Sequence, residues 1–262
     1  MKLFVGLGNP SSSYARHRHN VGFMALDRIA EVHGLPPWRK RFHGLVTDGP
    51  IGGRRVMLLK PQTYMNDSGQ AVGEAQRYLK IDEGDIYVFH DEIDLAPSKL
   101  KVKAGGGNAG HNGLRSISAH IGNEYQRVRI GVGHPGSKDL VSHYVLHDFA
   151  KADQEWLEPM LNAMADAAGR LAAGDAGRFL TDVARKLQPE RERGDGKGEK
   201  GGKGSDSVEL MDAEADVPVP RAAVATPAPA PGHPAGERQS KRGSALAENL
   251  KRWLRGTRGP AS

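Results

Sequence analysis

From Gln188 to the C-terminus the 262-residue sequence contains a single aromatic residue, Trp253, and that break decides where a fold can lie. The stretches GDGKGEKGGKGSD and ATPAPAPGHPAG carry too little apolar surface to offset the entropy of ordering them. Residues 1–187, in contrast, carry aliphatic and aromatic residues at strand and helix spacings. One folded domain over 1–187 is therefore expected, followed by a low-complexity, largely disordered tail over 188–262. Near the end, SALAENLKRWLRGTRG sets Leu246, Leu250, Trp253 and Leu254 at helical spacing among basic residues. So short a segment is expected to remain a solvated end.

Within 1–187 strand and helix patterns alternate. KLFVGLG (2–8) reads as a buried strand and VGFMALDRIAEVHG (21–34) as an amphipathic helix stopped by Gly34. GLVTDGPIGGRRVMLLKP reads as a hairpin with glycines at its turn. NDSGQAVGEAQRYLK begins with Asn66, Asp67 and Ser68, good capping residues, and continues as a helix. DIYVFHDEID is a strand with an acidic end. KLKVKAGGGNAGHNGLRSISAHIG runs strand, Gly-rich loop, helix, and RVRIGVGHPG is a further strand. Helices over about 151–173 and 176–187 close the domain. The pattern predicts an α/β fold, a single domain with a mixed twisted β-sheet flanked by helices.

The sequence has no cysteine, which excludes disulfides, thiolate nucleophiles and Cys-based zinc sites. Gly6, Gly8 and Pro10 interrupt the apolar start, so no secretory signal is read there, and no run approaches the roughly 18 apolar residues of a membrane span. A cytoplasmic location is expected. The net charge of +6 is compatible with an anionic partner without requiring one.

The polar residues Asn9, Asn66, Asp91, Glu92 and Asn112 lie just beyond strand ends or glycine-rich turns, where open α/β sheets place their ligands. Gly6-x-Gly8-x-x-Ser11 lacks the third glycine and the immediate helix of a dinucleotide site, and Gly105-Gly106-Gly107 lacks the Gly-Lys-Ser/Thr of a P-loop. His19 paired with Asp91 would supply a general base with its tautomer fixed, and with no serine elbow the nucleophile would be water. The arginines flanking it, Arg16 and Arg18, are expected to make the imidazole harder to protonate. A metal site built from His17, His19, His90, Asp91, Glu92 and Asp94 is an equal rival on residue types alone, opposed by those same arginines. Asn9, Asn66 and Asn112 offer neutral amides suited to a peptide backbone or an ester oxyanion. Lys101, Lys103, Arg127 and Arg129 alternate along two strands, each pair facing one side of its sheet.

Five motifs in order, VGLGNP…Y…RHNVG, LLKPQTYMNDSG, HDEIDL, GGGNAGHNGLRSI and RVRIGVGHPG, together resemble the bacterial peptidyl-tRNA hydrolase family across about residues 1–187. The resemblance implies a hydrolase that cleaves the ester joining a peptide to tRNA and works in ribosome rescue. It implies that His19 activates water and Asp91 orients it, that Asn9 and Asn66 hold the scissile carbonyl and peptide, and that Asn112 contacts the peptide or the acceptor end. Tyr14, Met65 and His111 would line the cleft, and Lys103 and Arg129 would clamp the tRNA 5′ phosphate. It further implies a monomer with no metal or other cofactor, whose partner is the acceptor end of peptidyl-tRNA. Two positions depart from the family's pattern: Ser11 stands where glycine is usual, a cost if φ > 0 is needed, and His17 places a second titratable group near His19.

Overall fold

The computed structural model describes residues 1–188. The remainder of the expected tail, with its helical pattern around Trp253, lies outside the described residues.

Among the described residues, seven strands form one sheet in the order β2-β3-β4-β1-β5-β7-β6. They are β1 (Lys2–Gly6), β2 (Arg39–Arg41), β3 (Gly44–Ile51), β4 (Arg54–Pro61), β5 (Ile86–Glu92), β6 (Leu100–Ala104) and β7 (Gln126–Gly131). The central four, β4-β1-β5-β7, run parallel, while β2, β3 and β6 are antiparallel to their neighbours. The sheet is mixed, as the alternation of patterns predicts. The β3–β4 hairpin turns at Gly52 and Gly53, with φ of +56° and +74°, a pair of left-handed residues that matches the twist of the strands.

Among the described residues the helices are α1 (Val21–Val32), α2 (Ser68–Leu79), α3 (Asn112–Ile121), the short α4 (Val141–Val145), α5 (Gln154–Ala172) and α6 (Ala176–Leu187). One apolar core packs Phe4, Phe89, Val128 and Ile130 against α1, α5 and α6. A second packs Leu3, Val5, Ile86 and Val88 against α2 and α3. Burial on both faces explains why the central strands read as continuous apolar runs. Since α1 leaves β1 towards one face and α2 leaves β4 towards the other, a crevice opens beyond the carboxyl ends of these strands. At Gly22 the first turn of α1 lies so close to the sheet that a Cβ would overlap the Phe89 carbonyl oxygen and the Leu7 backbone.

The expected caps of α2 are not used. Asp67 occupies the N-cap position without a side-chain bond to the helix, and Ser68 instead donates to the Met65 carbonyl at 2.9 Å. A 3-10 turn over Met65–Asp67 already carries the chain into the helix and turns Asn66 outward.

Candidate active site

The segment leaving β1 carries Asn9, and the C-terminal end of β5 carries Asp91, to the same end of the sheet. A 3-10 turn, Arg18–Asn20, sets His19 above the end of β5. Its Nδ1–H donates to Asp91 Oδ1 at 2.8 Å, which leaves Nε2 to accept a proton. His111, just ahead of α3, donates from Nε2 to the same oxygen at 3.2 Å. Its Nδ1 accepts the backbone N–H groups of Gly113 and Leu114, capping the helix. The cap fixes the His111 tautomer, because a nitrogen that accepts two N–H groups carries no proton of its own. Asp91 therefore holds two imidazoles 4.7 Å apart, ring to ring.

Burial is the largest influence on Asp91 and works against its charge, but His19 and His111, by charge and hydrogen bond, hold it well below 3.8. For His19 burial again leads and lowers basicity, yet the charge and hydrogen bond of Asp91 win and hold the imidazole above 6.5. The neighbouring His90 behaves oppositely. Burial, followed by the adjacent His111, pushes it down to about 3, so it stays neutral and donates from Nδ1 to the Asp91 carbonyl.

The expected influence of Arg16 and Arg18 on His19 is not found. Arg16 pairs with Asp148 at 3.6 Å. Arg18 donates to the Asp148 carbonyl at 2.8 Å and to Asp153 at 2.9 Å, and stacks on Tyr144. Both charges are spent on the segment ahead of α5. His17 turns the same way, towards Asp148 at 3.7 Å, and does not line the cavity that holds His19. Ser11 has φ of −111° and caps the next turn, so the glycine usual there is not needed for a left-handed backbone.

Among the described residues, His19, Asp91 and His111 do offer three atoms within 4.8 Å of one another, a spacing that would suit a metal. The donor set opposes it. Ligation through His111 Nε2 would move the ring proton to Nδ1, where it would face the two N–H groups of α3. Glu92 is engaged by Arg129 and Asp94 is exposed, so the six-residue metal cluster considered from sequence does not assemble.

These groups line a cavity of about 620 Å³ shared by Asn9, His19, Met65, Asn66, Asp91, Lys103, His111, Asn112 and Arg129. Asn66 and Asn112 are exposed and Asn9 half-buried. Met65 is buried beneath the start of α3. Tyr14 does not line this cavity; it lies against the His17 ring, 5.0 Å away. Register explains the basic side. Lys101 faces Arg129 and Lys103 faces Arg127 across β6 and β7, so all four share one face. Arg127 is buried and donates to the Gly107 carbonyl, Asn108 and Asn123, pinning the Gly-rich loop. Lys103 and Arg129 remain towards the cavity.

The family model described as peptidyl-tRNA hydrolase matches residues 3–191. The chain belongs to the peptidyl-tRNA hydrolase family. The peptidyl-tRNA hydrolase of Ruegeria pomeroyi is 62% identical over 191 residues, 73% of this chain and 80% of that protein. That of Dinoroseobacter shibae is 61% identical over 194 residues, 74% of this chain and 83% of that one. The crystal structure of peptidyl-tRNA hydrolase from Acinetobacter baumannii superposes with a TM-score of 0.66 at 39% identity, covering 70% of this chain and 94% of that one. The mixed sheet with flanking helices is thus the peptidyl-tRNA hydrolase fold.

Two residues of this peptidyl-tRNA hydrolase family member do work that the sequence did not assign: Asn20 received no role there, and Glu92 only a place in the rival metal cluster. Asn20, 2% exposed, accepts the Asn9 N–H at 2.9 Å and donates to the Asn9 carbonyl at 3.0 Å. It stands at the N-cap position of α1 but spends its amide on fixing Asn9. Glu92, 5% exposed, holds Arg129. The available signal was adjacency: each polar residue directly follows a proposed catalytic one.

Proposed function

We propose that this chain hydrolyses the ester of peptidyl-tRNA, with His19 as general base. His19 Nε2 takes a proton from water as the water oxygen attacks the ester carbonyl carbon. Collapse of the tetrahedral intermediate expels the ribose oxygen, which takes the proton back, releasing a free peptide and tRNA. Asp91 orients His19 and stabilises the imidazolium that forms between these steps. Asn9, Asn66 and Asn112 bind the peptide backbone, and Asn66 donates to the developing oxyanion. Lys103 and Arg129 receive the 5′ phosphate of the tRNA as a charge-assisted clamp. The substrate is peptidyl-tRNA released early from ribosomes, and the enzyme acts as a single copy in the cytoplasm, with no metal. Residues 1–187 carry the reaction, ahead of the low-complexity tail.

The observation that carries this reading is the 2.8 Å bond from His19 to Asp91 in a cavity edged by three asparagines, in a member of this family. The test is cleavage of purified N-acetyl-aminoacyl-tRNA by wild type and His19→Ala, each with and without EDTA. Turnover that ignores EDTA and falls at least about 10³-fold in the variant is expected, the scale of losing a general base and its ion pair. Retained turnover in His19→Ala refutes the role of the base, and abolition by EDTA in wild type refutes the metal-free reading.

A further inference from the structure

Asp91 and Glu92 are consecutive in β5, and consecutive side chains of a strand leave on opposite faces. Asp91 turns to His19. Glu92 turns to the face that carries Lys101, Lys103, Arg127 and Arg129, where it is the carboxylate bonded to a cation of that group. Its Oε2 accepts Arg129 Nε–H at 2.8 Å and its Oε1 accepts the Asp94 N–H at 3.2 Å. The Nε bond restrains the arginine stem. Both terminal guanidinium nitrogens stay without a hydrogen-bond partner among the described residues, and Arg129 lines the cavity. A buried carboxylate beside an anion site weakens the site's field, so its presence needs another reason. An arginine held by Nε loses less rotamer freedom when its outer edge takes a phosphate.

We propose that Glu92 is a positioning residue for the phosphate clamp, fixing Arg129 at a set distance from His19. This rests on the reading of Lys103 and Arg129 as receivers of the 5′ phosphate. One strand then holds both reference points, the base through Asp91 and the clamp through Glu92. The enzyme thereby gauges the span between the 3′ ester and the 5′ phosphate of its substrate.

The experiment uses the full chain and two N-acetyl-aminoacyl minihelices that differ only in a 5′ phosphate or a 5′ hydroxyl. The readout is the ratio of their kcat/KM values, from which any general loss of folded enzyme cancels. Wild type is expected to prefer the phosphate. Glu92→Ala is expected to lower that preference about five- to tenfold, the scale of immobilising one long side chain on binding. Glu92→Gln, whose amide oxygen still accepts Nε–H, is expected to keep most of it. Unchanged preference in Glu92→Ala overturns the proposal, and so does equal loss in Glu92→Gln, which would make charge and not orientation the cause. No preference in wild type overturns the clamp itself, and the positioning role with it.

Discussion

Replacing Asp91 by asparagine removes a charge while keeping the shape of the side chain, and the structure fixes the consequences. Asp91 Oδ1 receives N–H groups from His19 and His111 in a site where the carboxylate is 3% exposed. An amide in its place can present its NH₂ to His19 Nδ1, which drives the ring proton to Nε2 and removes the base. Where the amide oxygen stays in place, the imidazolium still forms without its counter-charge. Breaking a buried charge pair costs about 3–5 kcal/mol. At about 1.4 kcal/mol per decade, kcat should fall by about 10²- to 10⁴-fold. The pH profile gives an independent sign. Burial lowers the basicity of His19 and Asp91 raises it, the second prevailing. Without the carboxylate only the lowering influence remains, so the acid limb of kcat/KM must move to lower pH. Cleavage of N-acetyl-aminoacyl-tRNA measured from about pH 5 to 9 reads both quantities. Turnover within about tenfold of wild type, or an acid limb displaced upward, would falsify the assigned role of Asp91.

Two further outcomes test the fold and the clamp. Gly22→Ala should cost about 3 kcal/mol or abolish folding, because its methyl group meets backbone of β5 and of the segment after β1. Gly84→Ala, with open space around it, should stay within about 0.5 kcal/mol, and urea midpoints compare the two. Lys103→Ala should reduce the slope of log Kd against log salt for tRNA by about 0.9, the share of one phosphate contact. An unchanged slope removes Lys103 from the clamp.

The sequence made much of this visible, and the exceptions share a cause. Buried strands declared themselves by apolar runs, and Gly52-Gly53 by the turn it forms. The strand Arg39–Arg41 did not, since an exposed edge of three basic residues has neither a run nor an alternation. Strand order was equally hidden, because parallel pairing joins segments such as β1 and β5 that no local pattern relates. At the site, His19 and Asp91 could be matched as an imidazole and its carboxylate partner by residue type, and a 2.8 Å bond joins them. The orientation of Arg16 and Arg18 could not, as their partners lie about 130 residues away along the chain. Adjacency in sequence suggested guanidiniums beside an imidazole, and pairing with the segment of Asp148 and Asp153 holds them elsewhere. The expected helix cap at Asn66 to Ser68 failed similarly, displaced by a turn that propensity alone does not report.

The brace on the turn that carries His19 has a meaning for biosynthesis. Arg18 is held by the carbonyls of His147 and Asp148 and by the carboxylate of Asp153. A ribosome making this chain translates His19 early and its brace about 130 residues later. Throughout that interval the nascent protein is itself an ester of tRNA, the bond that the finished site is proposed to cut. Folding proceeds from the N-terminus as the chain emerges, and the turn that carries His19 lacks this brace until most of the described residues have been made. The long separation between Arg18 and Asp153 thus means that the brace on this turn closes only when synthesis of the described residues is well advanced.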